Sequence, residues 1–206
     1  MGTGWLQLGK INLEEETMTQ VVANPRRGVS LWVQILVWTL LTGLLILVGT
    51  GLARARQGTI QPGDKVPDFS LALYSGYEYN GQSEVKISNL RGKVVFINFW
   101  ASWCKPCEQE AAALEQAWEY YQPSGKVVFL GIDYVDTEIP ALAFLKKFNN
   151  TYPNGPDIRT EISQMFRIKG VPETYIIDTN GILSYVKIGP FLNVDEIKTI
   201  IDPLLQ

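Results

Sequence analysis

The chain has 206 residues, 46% hydrophobic and 19% charged, with a formal net charge of −3, two cysteines and no histidine. The sequence pI of about 5.1 gives no basic footprint of the kind that nucleic-acid binders carry. Two cysteines without histidine are too few for a four-ligand zinc site, and they exclude a histidine-assisted copper site.

Residues 1–27, with "EEE" at 14–16, read as a polar tail. From Gly28 to Ala53 no residue is charged. That run exceeds the roughly 20 apolar residues that a membrane-crossing helix needs. The apolar core of a cleaved secretory signal is usually only about 7–15 residues, so length favours an uncleaved anchor over 28–53. Ala53 and Ala55 still offer a small-residue cleavage site, and a buried core helix is a third reading. Arg26 and Arg27 precede the span and Arg54 and Arg56 follow it, so flanking charge does not orient it. Residues 54–66, with Gly58, Pro62 and Gly63, read as a linker. The remainder, 67–206, is close to the common size of one domain.

Within it, 68–74 and 84–88 have strand character, with the turn signal "YNGQ" between them. "KVVFINFW" (93–100) is a nearly continuous apolar run, as suits a strand covered on both faces. "EQEAAALEQAWEYY" (108–121) is rich in helix formers, with Leu114, Ala117, Trp118 and Tyr121 at core-facing spacing. A second buried strand is predicted at 126–133, an amphipathic helix at 139–148 and a short helix at 161–167. Strands at 174–178 and 182–189 flank the turn "TNG". A last helix spans 193–205, with Asn193 as N-cap and Glu196 at the capping-box spacing. A βαβ unit followed by a hairpin and a helix implies an α/β fold, a mixed sheet with helices on both faces.

Both cysteines lie in "FWASWCKPC", where a buried strand ends and a helix begins. Cys104 then sits near a helix N-terminus, where unpaired N–H groups and the helix dipole favour an anion such as a thiolate. Cys107 lies within one helical turn, near enough to bond to it. Cys104, N-terminal and exposed, would attack; Cys107, more buried, would resolve the mixed disulfide. Attachment of c-type haem needs Cys-x-x-Cys-His, and Glu108 stands where that histidine would be. An inert structural disulfide is the remaining alternative.

"VVFINFWASWCKPC" resembles the active-site strand and loop of the thioredoxin superfamily, and "GVPETYIID" (170–178) resembles its proline segment. With "PGDKVPDFSL" and "SNLRGKVV", the similarity extends over roughly residues 62–205 and is to the TlpA/ResA/DsbE (CcmG) branch. That branch comprises membrane-tethered, extracytoplasmic thiol–disulfide oxidoreductases, several of which serve cytochrome c maturation.

The resemblance implies a thioredoxin-like fold and a set of roles. Pro172 would be cis and face the cysteines, leaving the Val171 backbone to pair with an extended substrate segment. Glu110, three residues after Cys107, matches an acid that influences cysteine titration in ResA-like proteins; its alternative is a solvated first-turn acid that complements the helix dipole. Thioredoxins place a buried aspartate where this chain has Asn98, which cannot take a proton, so Glu110 is the better relay. Glu173 would tune the pair or face water and help choose partners. Trp103 would shield Cys104, Trp100 would be core or groove lining, and Lys105 and Pro106 help set the potential.

The expected activity is thiol–disulfide exchange on the extracytoplasmic side of a cell membrane, anchored through 28–53. It uses no cofactor beyond the cysteine pair and no metal. The implied partners are a protein disulfide, such as apocytochrome c or its chaperone, and a membrane electron donor of the DsbD/CcdA type. A disulfide-forming oxidase, a peroxidase of the same fold and a non-catalytic peptide-binding module are the competing functions.

Overall fold

The structure is a computed structural model and describes residues 30–55 and 60–206. The polar tail, the first two residues of the apolar run and residues 56–59 of the linker lie outside the described residues. Two units result, Met1–Ala53 and Arg54–Gln206.

The described part of the first unit is helical: α1 spans Leu31–Ala55, ending just past the unit boundary. Its large apolar side chains, from Leu31 and Trp32 to Leu52, are uncovered. The hydroxyls of Thr39, Thr42 and Thr50 donate back to the carbonyls of Leu36, Trp38 and Leu47. Such back-bonding satisfies hydroxyls without water. By length and composition the helix suffices to cross a membrane.

The second unit is built on a five-stranded mixed sheet. β1 (Ser70–Ala72) and β2 (Glu84–Lys86) come first, followed by β3 (Val94–Trp100), α2 (Lys105–Tyr121), β4 (Val127–Tyr134) and α3 (Glu138–Lys147). Then come β5 (Asn154–Asp157), α4 (Glu161–Phe166), β6 (Glu173–Ile177), β7 (Leu183–Ile188) and α5 (Val194–Ile201). The sheet order is β5-β4-β3-β6-β7. β3 is parallel to β4, and β4 to β5; β6 is antiparallel to both β3 and β7. This is the thioredoxin-like arrangement.

β3 is buried at all seven positions, which explains why its sequence does not alternate. Val95, Ile97 and Phe99 face a core closed by Phe69, Leu71, Val85, Ile87 and α4's Phe166. Val94 and Phe96 face α2 and α5, where Phe96 stacks on Phe129 at 4.2 Å. Leu114, Ala117, Trp118 and Tyr121 of α2 are buried there, as their spacing predicts.

Three expectations change. β1 and β2 form a separate two-stranded sheet against the main one. A strand absent from the sequence reading, β5, is present: its residues Asn-Gly-Pro-Asp carry turn chemistry, but parallel pairing with β4 holds them extended. The last helix ends at Ile201 and continues as a 3-10 turn over Asp202–Leu205, because Pro203 supplies no N–H for a further α turn.

Candidate functional site

The site forms where β3 ends. Ala101 to Trp103 lead into α2, and Cys104 is its N-cap, with φ −86° and ψ 109°. Pro106 lies in the first turn, where its missing N–H is no loss. The Cys104 Sγ accepts the Cys107 backbone N–H at 3.2 Å, doing with sulfur what a serine or aspartate oxygen does at other helix starts. Cys104 and Cys107 are disulfide-bonded, with Cα atoms 5.3 Å apart.

Opposite them lies the segment before β6. The Val171–Pro172 peptide is cis. The Val171 carbonyl oxygen stands 3.5 Å from Cys104 Sγ. The Val171 N–H has no hydrogen-bond partner among the described residues, whereas the Pro172 carbonyl accepts from Gly189 N. Cys104 is only 4% exposed and Cys107 2%. Cys104 is therefore less exposed than the sequence suggested: it is bonded to Cys107 and belongs to a buried cluster against which Val171 packs. Trp103 is 59% exposed beside it. Trp100 is buried in the core, stacked on Phe144 at 4.7 Å and donating its indole N–H to Asn154 Oδ1 at 2.8 Å.

Charge around the first turn is arranged about Glu108. It accepts from Lys105 Nζ at 3.0 Å and lies 3.5 Å from Lys147 Nζ. The Lys105 hydrogen bond is the main reason its carboxyl titrates below the ordinary range.

Glu110 is 1% exposed, which removes the reading of a solvated first-turn acid. Its Oε1 accepts from Asn98 Nδ2 at 2.8 Å and its Oε2 from the Phe191 backbone N–H at 3.1 Å. Burial pushes its pKa up to about 7; the Asn98 bond, the Phe191 bond and the Lys187 charge oppose that rise. Glu173 does not face water. It is 2% exposed, and it accepts from Lys169 N at 2.7 Å and from the Tyr175 hydroxyl at 2.8 Å.

Two carboxylates escaped the sequence reading. Asp133, at the end of β4, is fully buried and accepts from the Tyr74 hydroxyl at 2.7 Å. Burial raises its pKa to about 7, with the Tyr74 bond opposing and the Asp136 charge adding to the rise. Asp136 accepts the Ser102 backbone N–H at 2.8 Å and so ties the β4–α3 connection to the loop before Cys104. The signal was available: a charged residue inside an otherwise apolar buried strand is uncommon.

The fold and this site define a class, the thioredoxin-like proteins with a Cys-x-x-Cys pair at a helix start. Residues 62–186 match the AhpC/TSA family, and the chain belongs to it. It is 30% identical over 133 residues to the thiol-disulfide oxidoreductase ResA of Geobacillus kaustophilus, covering 65% of this chain and 72% of that one. It is 33% identical over 131 residues to the thioredoxin-like protein YneN of Bacillus subtilis, covering 63% and 73% of the two chains. A crystal structure from Chlorobium tepidum, of a candidate thiol:disulfide interchange protein DsbE, superposes with a TM-score of 0.63 at 26% identity. It covers 71% of this chain and 99% of that one. The protein is thus a thiol–disulfide oxidoreductase of the ResA and DsbE type.

Proposed function

We propose that this protein is tethered to the membrane by α1, faces the extracytoplasmic side, and reduces specific protein disulfides. The observation that carries the reading is the Cys104 sulfur capping α2. In the reduced protein the same Cys107 N–H and helix dipole would stabilise a Cys104 thiolate.

The thiolate attacks one sulfur of the target disulfide, forms a mixed disulfide and expels the other target sulfur as a thiolate. Glu110 then accepts the Cys107 proton. The Cys107 thiolate attacks Cys104, releasing the second target thiolate and leaving Cys104 bonded to Cys107. Two electrons pass to the target, and the Glu110 proton passes to a departing thiolate. No cofactor beyond the cysteine pair enters the cycle. Val171 offers an unpaired N–H for an extended target segment, with Pro172 behind it and exposed Trp103 beside it. Glu173 acts from within, by holding Lys169 N and so the start of the proline segment. Lys105 and Pro106 tune the potential. The target class is a protein disulfide, as in apocytochrome c or its chaperone. Because the compartment is oxidising, a membrane donor of the DsbD/CcdA type resupplies electrons.

Cys107→Ser in the full chain tests this. It is expected to accumulate mixed disulfides through Cys104, and the trapped proteins name the targets. The reduction potential tests the direction: about −270 mV fits a reductant, whereas about −120 mV would make the protein an oxidase.

A further inference from the structure

The sheet face beneath α2 is apolar through Val94 and Phe96 of β3 and turns polar near the site: at Asp133, opposite Trp100, and in the cross-strand row through Asn98. From edge to edge the row reads Asn154, Gly131, Asn98, Thr174 and Lys187. Two residues earlier on β3 the row is Phe129, Phe96 and Ile176. Buried polar groups are costly unless they are hydrogen-bonded, so the direction of the bonds shows what the row serves. One side of it, Asn98 to Lys187, converges on Glu110.

Asn98 Nδ2 donates to Glu110 Oε1 at 2.8 Å and to Thr174 Oγ1 at 3.1 Å. Lys187, at the edge of the row, contributes its charge to Glu110 while pairing with Glu196. The Asn98 Oδ1 is buried without a hydrogen-bond partner among the described residues. An amide satisfied on one side only is a poor choice for stability. An apolar residue would avoid the orphaned oxygen. An aspartate would place two carboxyls in contact, and one of them would have to stay protonated. Asparagine alone of these supplies a donor to the ionised glutamate without adding a rival proton site.

We propose that Asn98 is a positioning residue: by donating one N–H to Glu110 and the other to Thr174, it fixes that carboxylate one helical turn after Cys107 and governs how readily it takes the Cys107 proton. This rests on the relay role proposed for Glu110. The proton moves from Cys107 sulfur to a Glu110 oxygen and back to a target thiolate; Asn98 neither gains nor loses one. The other groups around Glu110 are Cys107, one turn before it on α2, the Lys187 charge of β7, the Phe191 N–H before α5, and Tyr152 before β5. The Tyr152 hydroxyl titration is raised by burial and then by the Glu110 charge.

The test is the pH dependence, from 5 to 9, of reduction of oxidised glutathione by the full-length protein. The variants are Glu110→Gln, Asn98→Leu and their combination. Glu110→Gln is expected to remove the Glu110 titration near neutrality and to leave that of Cys104. Asn98→Leu is expected to move the Glu110 midpoint up by about one pH unit, tenfold in proton affinity, since a bond to a charged group is lost. On the Glu110→Gln background, Asn98→Leu should move nothing further. Should Asn98→Leu fail to fold, the wild-type protein still decides. The Asn98 side-chain amide resonances are then expected to shift with the same midpoint as the Glu110 carboxyl carbon. If Glu110→Gln changes the profile, but Asn98→Leu does not and the Asn98 resonances stay flat, the Asn98 role falls and the relay stands. If Glu110→Gln leaves the profile unchanged, the relay falls and the Asn98 role with it.

Discussion

At the scale of single residues, the decisive fact about Glu110 is its burial. Its carboxyl binds a proton more tightly in the folded chain, at about 7, than in an unfolded one, at about 4.3. Between those values the native state holds more protons than the unfolded state, so stability falls as pH rises through this window. Asp133 contributes a loss of the same sign, since burial also raises it to about 7. Glu110→Gln should therefore gain on the wild type as pH rises from 5 to 8, by up to roughly 3 kcal/mol, read from urea midpoints. Asp133 leaves a residual slope in that variant. An equal effect at both pH values would show that Glu110 does not titrate in this window.

Gly131 is fixed by space rather than by backbone freedom. A Cβ there would lie 1.7 Å from Asn154 Oδ1 and 3.0 Å from Trp100 Nε1. Gly131→Ala should thus break the Trp100–Asn154 bond and lower stability by about 1–3 kcal/mol in chemical denaturation. The sequence names both cysteines, Pro172 and Glu110 from spacing and resemblance. It does not show that Asn98 donates to Glu110, because that contact joins residues 12 apart on two different elements.

At the scale of elements, α2 carries the chemistry because of how it starts. Its N-cap is a sulfur, its first turn contains Pro106, and Glu108 balances Lys105 there. The uninterrupted run of helix formers after the motif forms one continuous helix to Tyr121; Ala113 and Ala117 are buried against β3, β4 and α5, and Ala111 beside Cys107 and α3. α5 starts as its sequence predicts, with Asn193 Oδ1 accepting the Glu196 N–H at 2.9 Å. Asn193→Ala should cost about 1 kcal/mol of stability without altering the exchange rate. The Glu196 side chain does not close a capping box; it pairs with Lys187, a partner that only the folded sheet brings near. β3 and β4 were legible because both of their faces are covered and nearly every residue is apolar. β5 was not, because its extended form comes from pairing with β4 and not from its own composition.

At the scale of the whole molecule, the oxidoreductase domain has a core of its own, to which α1 contributes no residue. A chain beginning at Arg54 should accordingly fold, keep its exchange activity on oxidised glutathione and leave the membrane fraction. Retention of that shortened chain with membranes would contradict α1 as the tether. A sulfur held as an anion at a helix start is tested by alkylation of the reduced protein as a function of pH. Cys104 should react first, with a midpoint clearly below the value of about 8.5 for free cysteine. A Cys104 midpoint at or above 8.5, or faster labelling of Cys107, would contradict the account.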